Sequence, residues 1–180
     1  RSMWVSTFHS ACVRILRAEG KRLGFTSNFS IYDADDSRRL MTTVCRDLDF
    51  DPKRFPARSI TAQVSNFKNE LIDYEDAKAK SDDHRSKLVA EAYEAYQDRL
   101  RRANALDFYD LIMTTVTLLQ LFPDVADHYR RRFRHVLVDE YQDTNHAQYV
   151  LVRELAGGGP GQEAAELCVV GDADQSVYAF

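Results

Sequence analysis

Two adjacent carboxylates, Asp139 and Glu140, close the apolar run Arg134-His135-Val136-Leu137-Val138 and lead into Tyr141-Gln142-Asp143. A β-branched stretch of this kind reads as a buried strand. Open α/β sheets collect their ligands at C-terminal strand ends, so the pair stands where a nucleotide's magnesium would sit. Phosphoryl transfer needs a cation to neutralise phosphate charge and a group to orient the attacking water. Asp139 suits the cation, through a bound water because Mg²⁺ keeps much of its hydration shell, and Glu140 suits the base. Many strands end in an Asp-led turn that merely stops the ladder, so the pair alone is a weak signal.

A second strand strengthens it. Leu167-Cys168-Val169-Val170-Gly171-Asp172 also ends in an acid at a glycine turn and runs into Ala173-Asp174-Gln175-Ser176. The stretch from Thr144 to Leu155 reads as a helix with a capping residue at its start and glycines after its end. Strand, helix and strand in that order imply a parallel unit with a right-handed crossover, which brings both acidic ends to one sheet edge. The Gln175 amide there could sense a γ-phosphate and keep contact when a loop moves. Tyr178 and Phe180, two apart, share a face of an extended segment, and aromatic stacking on bases contributes about 1 to 3 kcal/mol per base. Core packing is the competing role for either ring, and for Tyr178 the two stay evenly balanced.

These residues carry a resemblance. Asp139-Glu140-Tyr141-Gln142-Asp143-Thr144 resembles the Walker B motif of the UvrD/PcrA/Rep family of superfamily 1A DNA helicases, and Val170 to Phe180 resembles its motif III. Ser6-Thr7-Phe8-His9-Ser10, followed by Val13-Arg14-Ile15-Leu16, is similar to the family's Thr-Phe-His-Ser segment. Asn104-Ala105-Leu106-Asp107-Phe108-Tyr109-Asp110-Leu111 resembles its Leu-Asp-Phe-Asp-Asp-Leu segment, with Tyr109 in place of an acid. Four motifs in the family's order span nearly the whole chain. The resemblance implies an α/β fold, part of a RecA-like P-loop NTPase parallel sheet with an inserted all-helical subdomain. Residues 1–10 and 106–180 would belong to motor domain 1A and residues 11–105 to helical domain 1B. It implies an ATP- and Mg²⁺-dependent helicase translocating 3′ to 5′ in DNA repair and replication, with Asp139, Glu140 and Gln175 at the nucleotide. Thr7, His9 and Ser10 would donate to the DNA backbone, and Phe180, where the family often has tryptophan, would stack on a base with Tyr178 beside it. The implied partners are single-stranded DNA, single/double-strand junctions and DNA-repair proteins.

No Gly-x-x-x-x-Gly-Lys-Ser/Thr loop occurs, and the one Gly-Lys pair, Gly20-Lys21, is followed by Arg22 in a helical pattern. Met3-Trp4-Val5 reads as the interior of a strand. The expectation is therefore an excised piece of a larger helicase, inactive alone without its phosphate loop and second motor domain. A non-catalytic DNA-binding or interaction module with a relic Walker B is one alternative; a helicase-nuclease subunit is another.

Composition fits a soluble intracellular protein: 180 residues allow one or two domains, and no stretch is apolar enough to span a bilayer; the resemblance implies a cytoplasmic, nucleoid-associated one. Cys12, Cys45 and Cys168 lack metal-site spacing and fit reduced core thiols. A net charge of -4 argues against coating nucleic acid by bulk electrostatics, so DNA contact needs local patches. Arg14, Arg17, Lys21 and Arg22 recur at helical spacing and are better placed for DNA. The cluster Arg130, Arg131, Arg132 and Arg134 reads as helix-end charge.

The elements that must position these groups are mostly helical. Helices are expected from about Ala11 to Leu23, after Asp33, from near Ser59, from about Asp83 to Arg102, from Phe108 to Leu121, and through Tyr129. Leu88, Ala92, Tyr93, Tyr96 and Leu100 fall at core spacing, which makes the two tyrosines packed core rather than base-stacking rings. Gly157-Gly158-Gly159-Pro160-Gly161 reads as an inserted loop.

Overall fold

The computed structural model describes residues 3–159, 161 and 163–172. Over these residues the chain is largely helical, with four short strands in two parallel pairs. It packs as two compact units, residues 1–113 and 114–180. Among the described residues no helix is long and apolar enough to cross a membrane.

In the first unit, helix α1 (Phe8–Glu19) starts at Thr7, whose side chain accepts the Ser10 N–H, and buries Cys12, Ile15 and Leu16. These lie three and four apart and so share one face. A 3-10 turn, Gly20–Leu23, then closes on Gly24, whose φ of 87° is the left-handed stop that glycine takes without strain. Strand β1 (Ser30–Tyr32) pairs in parallel with β2 (Ala105–Asp107), Ser30 opposite Ala105 and Tyr32 opposite Asp107.

Between these strands lie four helices. Asp33 caps α2 (Ala34–Asp47), Pro56 precedes α3 (Ala57–Asn69), Asp73 caps α4 (Tyr74–Ala79), and an Asp83/Ser86 capping box opens α5 (His84–Arg102). Met41, Val44, Ile60, Val64, Tyr93, Tyr96 and Leu100 form one apolar core. Tyr93 and Tyr96 are each 1% exposed, so the packed-core expectation holds. Each such side chain contributes about 1.5 to 3 kcal/mol by leaving water.

Helix α6 (Phe108–Leu121) carries the chain to the second unit. There α7 (Pro123–Arg132) begins with proline at its first turn, and α8 (His146–Ala156) opens on an Asn145/Gln148 capping box. Strands β3 (His135–Val138) and β4 (Glu166–Val169) pair in parallel with His135 opposite Glu166 and Val138 opposite Val169. The strand, helix, strand order and its parallel pairing are as the residue pattern predicts. Arg130 ties α7 to α8, donating from Nε to the Glu154 carbonyl at 2.9 Å and pairing with its carboxylate at 3.1 Å. Arg131 donates to the Asp127 carbonyl, so both arginines work within the fold.

Three expectations need correction. Met3-Trp4-Val5 is not a strand: Met3 and Val5 are 84% and 83% exposed, and the segment belongs to neither of the two strand pairs among the described residues. A strand persists only when its amides and carbonyls are paired, and this segment has no such ladder. Strands β3 and β4 are not buried on both faces, since Leu137 is 71% exposed and Leu167, Val169 and Val170 are about half exposed. Two strands cover little of each other's side chains, and burying both faces takes further layers. For the same reason Cys168, on β4, is exposed, whereas Cys12 and Cys45 are buried.

Candidate functional site

The carboxylate pair sits where β3 gives way to a 3-10 turn, Tyr141–Asp143. Glu140 occupies the left-handed region, φ 50° and ψ 43°, which costs a residue with a Cβ about 1 to 3 kcal/mol. That kink turns the chain sharply between Asp139 and Glu140. The Glu140 N–H donates to Asp139 Oδ1 at 3.0 Å and so fixes the first carboxylate against its own backbone. Gln142 Nε2 donates to Glu140 Oε2 at 2.6 Å. Both carboxylates remain exposed.

The end of β4 is stitched to this turn. The Val170 N–H donates to the Val138 carbonyl at 2.8 Å, the Tyr141 N–H to the Val170 carbonyl at 2.9 Å, and the Asp172 N–H to Gln142 Oε1 at 3.1 Å. Gly171 must be small: a Cβ there would lie 2.6 Å from Gln142 Oε1 and 3.2 Å from the Gln142 nitrogen. Among the described residues no three His, Cys, Asp or Glu side chains gather around one point. One carboxylate beside an open edge suits Mg²⁺, which takes few protein ligands and completes its shell with phosphate oxygens and water. Gln175, Tyr178 and Phe180 lie outside the described residues.

Thr7, His9 and Ser10 come together at the start of α1. Thr7 Oγ1 donates to Ser10 Oγ at 3.1 Å and accepts the Ser10 N–H at 3.3 Å. No acid stands in the first turn, which leaves the positive end of the helix open to an anion. Burial lowers the His9 pKa below its ordinary 6.5, so its ring is neutral at pH 7 and offers one N–H donor. Its ring lies 5.0 Å from that of Phe108, which is 48% exposed beside the 40% exposed Tyr109. The basic patch after His9 is engaged within the fold. Arg14 covers the Trp4 ring at 4.6 Å, Arg17 covers the Phe29 ring at 4.0 Å and donates to the Ser27 carbonyl, and Arg22 pairs with Glu19 at 3.6 Å. Lys21 stays exposed.

A charged cluster that the residue pattern did not single out holds Phe108 and Tyr109 in place. Lys68, fully buried on α3, pairs with Asp107 Oδ2 at 2.6 Å and Asp110 Oδ1 at 2.8 Å. The two aspartates cap each other: the Asp110 N–H donates to Asp107 Oδ1 at 2.8 Å and the Asp107 N–H to Asp110 Oδ2 at 3.1 Å. Tyr96 Oη and Gln97 Nε2 complete the set, donating to Asp107 Oδ2 and Asp110 Oδ1. Burial pushes Asp110 up to about 6, with the Asp107 charge adding to the rise against the pull of Lys68. Asp107 is also desolvated, but the Lys68 ammonium outweighs this and holds it below the usual carboxylate range. Lys68 in turn is raised, because the two carboxylates overcome the effect of burial. The signal was present in the sequence as a lysine at core spacing, four residues after Val64.

The family described as "UvrD/REP helicase N-terminal domain" matches residues 1–180. The chain is 62% identical to "ATP-dependent DNA helicase UvrD1" of Mycobacterium bovis, a match that covers 100% of this chain and 24% of that protein. The same-named protein of Mycobacterium leprae is 61% identical over 99% of this chain and 24% of its own length. "ATP-dependent DNA helicase PcrA" of Staphylococcus epidermidis is 46% identical, again over 99% and 24%. The chain thus spans about a quarter of the length of these relatives. With the whole chain matched and the motif residues at strand and helix ends as described, the chain belongs to the UvrD/REP helicase family, as its N-terminal domain.

Proposed function

We propose that this chain is part of the motor of an ATP- and Mg²⁺-dependent DNA helicase that translocates 3′ to 5′ and serves DNA repair and replication. The observation that carries the reading is the Asp139-Glu140 pair at the end of β3, joined by backbone hydrogen bonds to the end of the parallel β4. In this reading residues 1–10 and 106–180 belong to a RecA-like domain and residues 11–105 to a helical domain inserted in it. Asp139 holds the cation through water, Glu140 orients the attacking water, and Gln175 contacts the γ-phosphate. Thr7, His9 and Ser10 bind the phosphate backbone of single-stranded or junction DNA. Tyr178 and Phe180 stack on bases, and within the first unit the exposed ring of Phe108 beside His9 offers a base platform of its own. The names of the relatives, ATP-dependent DNA helicases, support the same activity.

Glu140→Gln in the full-length protein tests the assignment. It should reduce ATP turnover by a factor of roughly 10² to 10⁴ while ATP binding persists, because it removes the group that manages the water's proton and leaves the cation ligand intact. Steady-state hydrolysis with labelled-nucleotide binding reads both quantities. Unimpaired turnover would sink the proposal. The 180-residue chain alone should show neither turnover nor unwinding. At most it should bind DNA weakly and lose that binding as salt rises.

A further inference from the structure

Within four residues, Asp107-Phe108-Tyr109-Asp110 changes its surroundings twice. The two aspartates are 5% and 2% exposed, while the two rings between them are 48% and 40% exposed. Aromatic rings gain by leaving water, so two half-exposed rings side by side need something that holds them out. The aspartates supply it, because every oxygen of the pair is engaged. Asp107 Oδ1 accepts the Asp110 N–H, and its Oδ2 accepts from Lys68 and Tyr96. Asp110 Oδ1 accepts from Lys68 and Gln97, and its Oδ2 accepts the Asp107 N–H. Neither carboxylate turns without breaking bonds at both of its oxygens, so the chain between them is pinned at each end. Lys68 bridges the pair from α3, 39 positions before Asp107. Stability alone does not account for this bridge, since well-packed apolar side chains of similar volume hold a core as well as buried ions do. What apolar packing lacks is direction: an ammonium held at 2.6 and 2.8 Å fixes the angle at which α6 leaves β2.

We propose that Lys68 is a positioning residue for DNA: by clamping Asp107 and Asp110 together it holds the Phe108 ring beside His9 at the angle on which a base stacks. This rests on the reading of Phe108 as a base platform given above. Lys68 is fully buried and touches no nucleotide; it acts through the two aspartates. Without its ammonium the carboxylates lose the bridge between them, and the first turn of α6 no longer leaves β2 at a fixed angle. The ring then samples orientations in which it meets its neighbours instead of a base.

Variants of the full-length protein separate this from a role in stability alone. Phe108→Ala removes the ring. Lys68→Met keeps the length of the side chain and removes the ammonium. Asp110→Leu keeps the volume and breaks the clamp at one end while Lys68 and Asp107 remain a neutral pair, so it decides the matter where Lys68→Met does not fold. Each cluster change is also combined with Phe108→Ala. Affinity for a thymidine oligonucleotide would be read by fluorescence anisotropy, with KM for Mg²⁺-ATP and kcat at saturating oligonucleotide measured on the same proteins.

Phe108→Ala should weaken oligonucleotide binding about fivefold or more, the effect of losing one stacked base. Lys68→Met and Asp110→Leu should each weaken it about threefold to tenfold, a part of that loss, with kcat at saturating oligonucleotide and KM for ATP within about twofold of wild type. In the Phe108→Ala background the same two changes should move affinity by less than about twofold, because the ring they position is gone. If Phe108→Ala binds as wild type does, the platform reading falls and the positioning role falls with it. If Phe108→Ala weakens binding but the folded cluster variants bind as wild type does, only the positioning role is overturned. It is overturned equally if those variants weaken binding by the same factor with and without the ring, which would mark Lys68 as a residue of the core alone.

Discussion

Lys68 with Asp107 and Asp110 sets three charges inside a core, and the balance among them decides which substitutions the fold tolerates. Removing one partner of a buried pair leaves an uncompensated charge, so Lys68→Met should cost about 3 to 5 kcal/mol in urea unfolding followed by circular dichroism. A cost under about 1 kcal/mol would mean that the carboxylates already share a proton. The aspartates should respond differently to neutralisation. Asp110 is raised from 3.8 to about 6, so the folded chain holds that proton more tightly than the unfolded chain does. Its stabilising contribution is fully present below about pH 3.8 and is lost as pH rises through about 6. Asp107 is lowered, so its contribution is present above its unfolded value and is lost as pH falls through the folded one. Asp110→Asn should therefore gain on wild type as pH rises from about 4 to about 7, by up to about 1.4 kcal/mol per unit, in unfolding titrations at several pH values. A difference that is flat with pH would show that Asp110 does not carry the titration.

Asn104 joins two elements that lie far apart in the chain. It ends α5 with a φ of 47°, its carbonyl accepts the Ser30 N–H, and its side chain both accepts the Thr26 N–H and donates to Thr26 Oγ1. Asn104→Ala should cost about 2 kcal/mol in thermal or urea unfolding, combining the left-handed backbone with the lost bonds; Asn104→Gly should cost less, since it relieves the backbone part. Equal costs would place the whole effect in the side-chain bonds. Elements with local signals were legible in the residues. Asp33, Asp83 and the stripe of Met41 and Val44 announced α2 and α5, and the β-branched run with its acidic end announced β3. Strands β1 and β2 were not legible. Each has three residues, too few for a period to show, and they pair across more than seventy positions of sequence. The short helix α4 escaped for the same reason of length. At the site, Asp139 and Glu140 could be read from type and place. The bridge from Glu140 through Gln142 to Asp172 could not, because it depends on a left-handed residue and a close approach at Gly171.

At the scale of the whole molecule, the two units differ in how they shield their backbone. In the first, α2, α3 and α5 enclose a core in which Met41, Val44, Ile60, Tyr93, Tyr96 and Leu100 are 1% exposed or less. In the second, buried apolar side chains come from the helices, such as Val125, Ala126, Val150 and Leu151, whereas β4 is exposed along its whole length and β3 buries only Val138. Amide exchange from a folded protein follows the free energy of the smallest opening that frees the hydrogen bond. Opening α5 must break a packed core, while parting β3 from β4 exposes little that water does not already reach. Native-state hydrogen exchange on the 180-residue chain should therefore give amides of Val89 to Leu100 near-global protection, with those of Val136 to Val138 and Leu167 to Val169 exchanging through openings several kcal/mol cheaper. Leu137→Ser should barely alter stability in the same chain, within about 0.5 kcal/mol, because that side chain is largely in water in both the folded and unfolded states. Uniform protection across the two units, or a core-sized loss at Leu137, would show that the sheet bearing Asp139 and Glu140 is as tightly held as the helical core.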